Sequence, residues 1–382
     1  MTRTMMSTFK AADMTGDRLE GGGKPVACGN KSTGCNDPRS DQFCAMSARE
    51  CGLIDRSKQM LCEPPQGPVV MLIVLQPIQV GRERMMMECG NMSDHLPSRD
   101  GLDVIKTGKG VGAEVREIEL RTLDDEQFAD LRQAWLDNLV LLVRDQSLAD
   151  ADLIAFSRRF GDLDLAPIQE SGRRFVEGLP ELYIVSNVLE GGVPIGSLGN
   201  GEAVWHTDMS YVEVPPQASA LYALEVPPTG GNTSFIDMYD VYDTLPDALK
   251  VRIAGRRVKH DGTYNSGGFL RQGVTPSDDP RESPGSLHPL VYTHPETGRP
   301  ALYLGRRRNA YIDGLDLADS EALLDELWSH VDGDRFGWSH EWRKGDLVLW
   351  DNRCTMHRRD AFDPAARRVL HRTQIKGTGR PA

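Results

Sequence analysis

The chain runs to 382 residues, 39% hydrophobic and 26% charged, with a formal net charge of −12 at pH 7. That is enough apolar material for a sizeable buried core, and the acidic balance argues against a nucleic-acid partner. The one long apolar run, residues 69–75, is too short to cross a bilayer and too far along the chain for a signal peptide, so no membrane association is expected.

In chain order, the first 91 residues differ in material from the rest. Six of the seven cysteines and eleven of the fourteen methionines lie at or before Met92, among Gly, Ser, Asp and Lys with no sustained hydrophobic period. Residues 1–91 are therefore read as a disordered or non-native extension, with Met92 as the expected physiological start. Cys28, Cys35, Cys44 and Cys51 suggest a zinc or disulfide module, but they lack the tight Cys-x-x-Cys pairs of structural zinc sites, and disorder is the preferred reading. Residues 92–382 are read as one folded domain; its sole cysteine, Cys354, gives no disulfide framework, and a cytoplasmic location is expected.

Within that domain, residues 123–136 have helical character, 138–143 read as a buried strand, and 149–160 as a helix with Asp150 near its start. Short β-rich runs follow at 182–188, 205–211, 218–225, 232–236, 290–293, 301–304, 347–350 and 367–372, with helices at 239–249 and 319–330. Many short strands with Gly and Pro turns predict a mainly β fold with flanking helices around a double-stranded β-helix, or jelly-roll, core. Residues 262–286, rich in Gly, Ser, Pro and Asp, read as a loop or lid over a pocket.

The most informative motif is Trp205-His206-Thr207-Asp208, answered by His357 and then by Arg368 and Arg372. On a strand, His206 and Asp208 leave the same face and can share one cation, while Thr207 points away. Two imidazoles and a carboxylate can occupy one face of Fe(II) and leave three positions open. The run 367–372 puts Arg368 and Arg372 on one face, where guanidiniums suit a carboxylate such as that of 2-oxoglutarate. A second arginine run, Arg306-Arg307-Arg308, would on a strand place Arg306 and Arg308 together, adding positive potential for an acidic substrate.

Further landmarks are Leu142-Val143-Arg144-Asp145-Gln146, Arg159-Phe160-Gly161, Pro228-Thr229-Gly230-Gly231-Asn232-Thr233, His288-Pro289-Leu290-Val291 and Trp350-Asp351-Asn352-Arg353. On these the chain resembles the taurine dioxygenase and 2,4-dichlorophenoxyacetate dioxygenase family of Fe(II)/2-oxoglutarate-dependent oxygenases, over roughly residues 105–376. The resemblance implies iron ligands at His206, Asp208 and His357, with Thr233 and Arg368 on the far carboxylate of 2-oxoglutarate. It places Arg372 where the taurine enzyme holds the substrate's acidic group, and Met209, Glu202 and Arg308 are also assigned to the substrate. Asn352 and Asp351 are expected to orient His357 or to cap their turn, and Cys354 to be a small apolar filler.

The implied reaction uses Fe(II), 2-oxoglutarate and dioxygen, releases succinate and CO2, and hydroxylates a small organic acid, with an aryloxyalkanoate as the leading expectation and an alkyl sulfate or sulfonate as the alternative. Ala166 and Gln169 stand where the taurine enzyme has a His and a Tyr, and Glu202 replaces an Asn, so taurine itself is not expected. The expected partner is a small anionic molecule, with the protein a homo-oligomer. Two rival classes are a non-catalytic jelly-roll ligand-binding protein, which would not need the full ligand set, and a zinc hydrolase, which would not need Arg368 with Thr233.

Overall fold

The computed structural model describes residues 101–169 and 172–382; the expectations for the N-terminal extension, its cysteines and the start at Met92 lie outside the described residues. Two sheets dominate. The larger has eight strands in the order Asp103–Lys106, Ala113–Arg116, Val140–Val143, Leu347–Asp351, Ala218–Glu225, Val369–Ile375, Tyr183–Ser186 and Ser197–Leu198. The smaller has four, in the order Gly337–His340, Thr233–Asp237, Thr355–Arg359 and Ala203–His206.

Period-two alternation explains why the central strands of the large sheet read as unbroken apolar runs. In Leu347–Asp351, Val348 and Trp350 join the core shared with Phe235 and Met356 of the small sheet, while Leu347 and Leu349 join a second core under the outer helices. Val140–Val143 splits the same way, with Val140 and Leu142 on one side and Leu141 and Val143 on the other. Both faces are covered, so no polar alternation is needed.

The helix Asp125–Asn138 begins at a capping box, in which Asp124 accepts from the Gln127 amide and the Gln127 side chain accepts from the Asp124 amide. The helix Asp150–Arg158 is tied to the large sheet by Asp150, whose Oδ1 lies 2.6 Å from Nδ1 of His371. Leu317–Ser329 starts from Asp316, which accepts from the Asp319 amide.

The expected helix over 239–249 is two helices, Met238–Asp243 and Asp247–Ile253, because Pro246 cannot continue the first and is suited to start the second. The expected strand over 205–211 is also corrected: the strand is Ala203–His206, and the chain turns at Thr207. Residues 304–311, read as alternating, form no strand before Tyr311, since Gly305 at φ 66 and Asn309 at φ 54 break the extended path. The segment 262–284 joins the paired strands Arg257–Asp261 and Gly285–Pro289. Among the described residues no helix is long and apolar enough to cross a membrane.

Candidate metal centre and its flanking cavities

The small sheet brings the distant residues together. Across its ladders Phe235 stands opposite His357, His357 opposite His206, and Thr233 opposite Arg359. Asp208 arrives from the turn after the ligand strand rather than from the strand itself. Met209, next to it, has φ 46, a left-handed conformation that costs a non-glycine residue about 1 kcal/mol or more and turns the chain sharply after the carboxylate. The Thr207 hydroxyl donates to the Thr355 carbonyl at 3.3 Å.

Ligand atoms of His206, Asp208 and His357 lie within 4.8 Å of one another, and all three side chains are buried. The Asp208 Oδ1 is 3.7 Å from His206 Nε2 and 3.9 Å from His357 Nε2. Metal–ligand bonds of about 2.0–2.2 Å let one ion touch both members of pairs so spaced. The His206 Nδ1 lies 2.8 Å from the Val204 carbonyl, which assigns the ring proton to Nδ1 and leaves the Nε2 lone pair free. Burial pushes the His357 pKa down to about 3, with His206 acting in the same direction, so its imidazole is neutral. Burial alone would raise the Asp208 pKa; Arg372, His357 and His206 together hold it well below the usual carboxylate range. The donor set fits a divalent cation.

Asp208 is held on its outer side. The Ser219 hydroxyl donates to Asp208 Oδ2 at 2.9 Å, Asn352 Nδ2 donates to Ser219 Oγ at 3.1 Å, and Trp350 Nε1 donates to Asn352 Oδ1 at 2.9 Å. Asn352 thus supports Asp208 through Ser219, and the expectation that it orients His357 is corrected. Sequence reading missed Ser219, because the contact depends on which strand neighbours which. Asp351 faces elsewhere, held by Arg353 and lying 3.1 Å from His294 Nε2.

His294, Asp351 and Cys354 form a second buried group of metal-ligating types. Its imidazole is already spent, since Nδ1 accepts from the Glu296 and Thr297 amides and Nε2 faces Asp351. Burial pushes the Cys354 thiol up, which suits a neutral filler rather than a thiolate ligand.

On one side of the triad, Thr233, Arg359 and Arg368 line a small cavity together with Trp350. Arg368 is 1% exposed, and among the described residues no carboxylate lies within ion-pair reach of it. Burial, then the neighbouring Arg359, pulls its pKa down to about 9; a guanidinium stays charged even so, leaving a positive site that an anion would relieve. The Thr233 oxygen accepts from Trp342 Nε1 at 3.0 Å, which leaves its own proton to donate. Gly231, at φ 67, lies in the left-handed region that favours glycine, and a Cβ there would crowd Arg368 Nε at 3.2 Å. Arg359 was missed by sequence reading, although its place two residues after His357 signals a shared face.

On the other side lies a cavity of about 450 Å3, to which His206, Asp208, Met209, Gln169 and Arg372 contribute. Arg372 Nη1 lies 3.2 and 3.3 Å from the two Asp208 oxygens. Ala166 is buried in the core rather than on the cavity wall. Two residues assigned to the substrate lie outside the lining of both cavities. Glu202 is exposed, and Arg308 is exposed with its guanidinium 3.4 Å from the centre of the Tyr264 ring. The missing alternation explains this: Arg306 turns inward to the cavity while Arg308 does not follow.

Residues 103–374 match the family described as taurine catabolism dioxygenase TauD, TfdA family. An (S)-phenoxypropionate/alpha-ketoglutarate-dioxygenase of Delftia acidovorans is 33% identical over 292 residues, covering 72% of this chain and 95% of that protein. An alpha-ketoglutarate-dependent 2,4-dichlorophenoxyacetate dioxygenase of Cupriavidus pinatubonensis is 36% identical over 270 residues, 68% of this chain and 92% of that one. The crystal structure of AAD-2 in complex with Mn(II) and N-oxalylglycine aligns with a TM-score of 0.60 at 30% identity, over 74% of this chain and all of that one. The chain belongs to the TauD, TfdA family of dioxygenases and is an iron(II)- and 2-oxoglutarate-dependent oxidoreductase with a jelly-roll fold.

Proposed function

We propose that the protein hydroxylates a small aryloxyalkanoate-like acid, and that residues 92–382 form the catalytic domain. The observation that carries the reading is the pairing of a buried His206, Asp208, His357 triad with two cavities, one cationic and closed in by Thr233 and Arg368, the other larger and partly apolar. The names of the relatives support the substrate class. Bound iron(II), with 2-oxoglutarate and dioxygen, supplies the oxidation that yields succinate, CO2 and a hydroxylated substrate carbon.

The chain's own residues hold and orient. His206, Asp208 and His357 hold the ion, and the Asn352–Ser219 relay fixes the Asp208 carboxylate. Arg368 and the Thr233 hydroxyl receive the distal carboxylate of the co-substrate. The apolar part of the larger cavity, including Leu165, Ile168 and Leu270, seats the organic body. Hydroxylation of a carbon that also bears an ether oxygen leaves a product that collapses to a phenol and an oxo acid.

The test is a succinate-release screen over aryloxyalkanoates, alkyl sulfates and alkyl sulfonates, with His357→Ala as control. Succinate and phenol formed together from aryloxyalkanoates are the expected result; turnover of sulfates or sulfonates alone would replace the substrate class. A weak visible absorption band on adding Fe(II) and 2-oxoglutarate without oxygen is also expected, and its absence from folded protein would remove the metal-centred reading.

A further inference from the structure

Away from the metal centre, a cavity of about 590 Å3 opens over the outer face of a three-stranded sheet, and it shares no residue with the two cavities beside the triad. That sheet pairs Arg257–Asp261 with Gly285–Pro289 on one side and Tyr311–Ile312 on the other. Alternation turns Val258 and His260 inward, both of them buried, and leaves Arg257 and Lys259 on the outer face. Leu287 and Tyr311 stand opposite Lys259 across the two ladders, so an apolar and an aromatic side chain flank this cation.

Four cations line the cavity against two carboxylates, in a chain whose net charge is −12. Arg380 pairs with Glu213 at 2.5 Å, and Arg281 with Asp279 at 2.6 Å. Arg257 and Lys259 differ from them: among the described residues no carboxylate, Asp313 of the lining included, lies within ion-pair distance of either. Burial lowers the Lys259 pKa even though Asp261 and Asp279 oppose it. Asp261 spends its carboxylate on the amides of Thr263 and Tyr264, and Asp279 on Arg281.

Both unpaired cations are held by backbone carbonyls, Arg257 Nη2 donating to Leu287 at 3.0 Å and Lys259 Nζ to Arg281 at 2.7 Å. Each keeps further N–H groups to donate. Two positions apart on a strand, their Cα atoms stand about 7 Å from each other. Cations so spaced can meet two acidic groups on a short carbon chain, with the chain against Leu287 and Tyr311, whereas a single carboxylate would leave one of them unmatched.

We propose that this cavity is a second anion site, which binds a small organic dicarboxylate between Arg257 and Lys259. The reaction at the metal consumes one molecule of that chemistry, 2-oxoglutarate, and releases another, succinate.

The test is calorimetric titration of the full chain, with Mn(II) present, by succinate, acetate and pyrophosphate. Arg368→Met removes the co-substrate's own carboxylate site from the measurement and serves as the background for Arg257→Gln, Lys259→Gln and Lys259→Glu. The Arg368→Met protein should still bind succinate, at least tenfold more tightly than acetate. Each Gln variant should weaken that binding about tenfold or more, and Lys259→Glu should remove one equivalent of bound succinate. Arg257 is exposed and Lys259 half-buried, so the melting curves of these variants should match their background. Should Arg368→Met fail to fold, the loss of one succinate equivalent between wild type and Lys259→Glu carries the test. An Arg368→Met protein that binds no succinate, or whose succinate binding survives all three further changes, overturns the proposal. Pyrophosphate that binds more tightly than succinate and is lost in the same variants overturns the dicarboxylate assignment in favour of a phosphate site.

Discussion

Ser219→Ala removes a single oxygen, and its consequence can be worked through. Ser219 is fully buried, donates to the charged Asp208 at 2.9 Å and receives Asn352 Nδ2 at 3.1 Å. A hydrogen bond to a charged group contributes about 1.5–3 kcal/mol, and an amide left unpaired in a buried site costs a further 1–3 kcal/mol or so. The first quantity bears on the orientation of Asp208, and so on the metal. At about 1.4 kcal/mol per tenfold, it corresponds to a metal affinity weaker by about 10- to 100-fold, the range typical for groups that orient metal ligands. The second bears on the fold and appears as a lower melting temperature with or without metal. Isothermal titration with Mn(II) and thermal melts separate the two. Asn352→Ala should lower affinity by less, because it acts through Ser219. A Ser219→Ala protein whose Mn(II) affinity matches wild type would refute the claim that this relay orients the ligand.

Arg368→Met should weaken 2-oxoglutarate binding by roughly 30-fold or more while the apo protein melts at the same or a higher temperature, because an uncompensated buried cation is replaced by an apolar side chain; fluorescence titration and melting curves check both halves. Burial, with Asp240 adding to it, raises the Asp237 pKa to about 7. A carboxyl raised above its unfolded value contributes stability below the unfolded pKa and loses it as pH rises through the folded one, so this contribution fades between about pH 4 and pH 7. Asp237→Asn, which keeps an acceptor for the Tyr239 and Asp240 amides, should therefore gain melting temperature over wild type more at pH 8 than at pH 4. Removing metal with a chelator should lower the melting temperature, since an ion present at 100 times its Kd stabilises by about 2.7 kcal/mol; the shift should vanish in His357→Ala.

The sequence carried the site further than it carried the detail around it. The triad was legible because His206, Asp208 and His357 sit among ordered landmarks, and the face shared by Arg368 and Arg372 follows from strand alternation alone. Asp208 reaches the same place by a different route, through a turn that alternation does not describe. Ser219 was invisible because its role exists only where Ala218–Glu225 lies beside Leu347–Asp351. The arginines at 306 and 308 were assigned one face by a period that Gly305 and Asn309 interrupt, which moved the expected cation from Arg308 to Arg306. Pro246, plain in the sequence, was overridden by a continuous helical pattern that the fold does not keep.

The register of the small sheet divides the molecule into parts that tolerate change differently. Because neighbouring positions on a strand face opposite ways, sliding Thr355–Arg359 by one residue would turn His357 toward the back of the sheet and bring Met356 forward in its place. Insertions or deletions inside these strands are therefore incompatible with a working centre. The connection between Asp261 and Gly285 carries no such obligation, and it supplies Leu270 and Arg271 to the larger cavity. New substrates can thus be accommodated by rewriting that one crossing while the ion stays where it is.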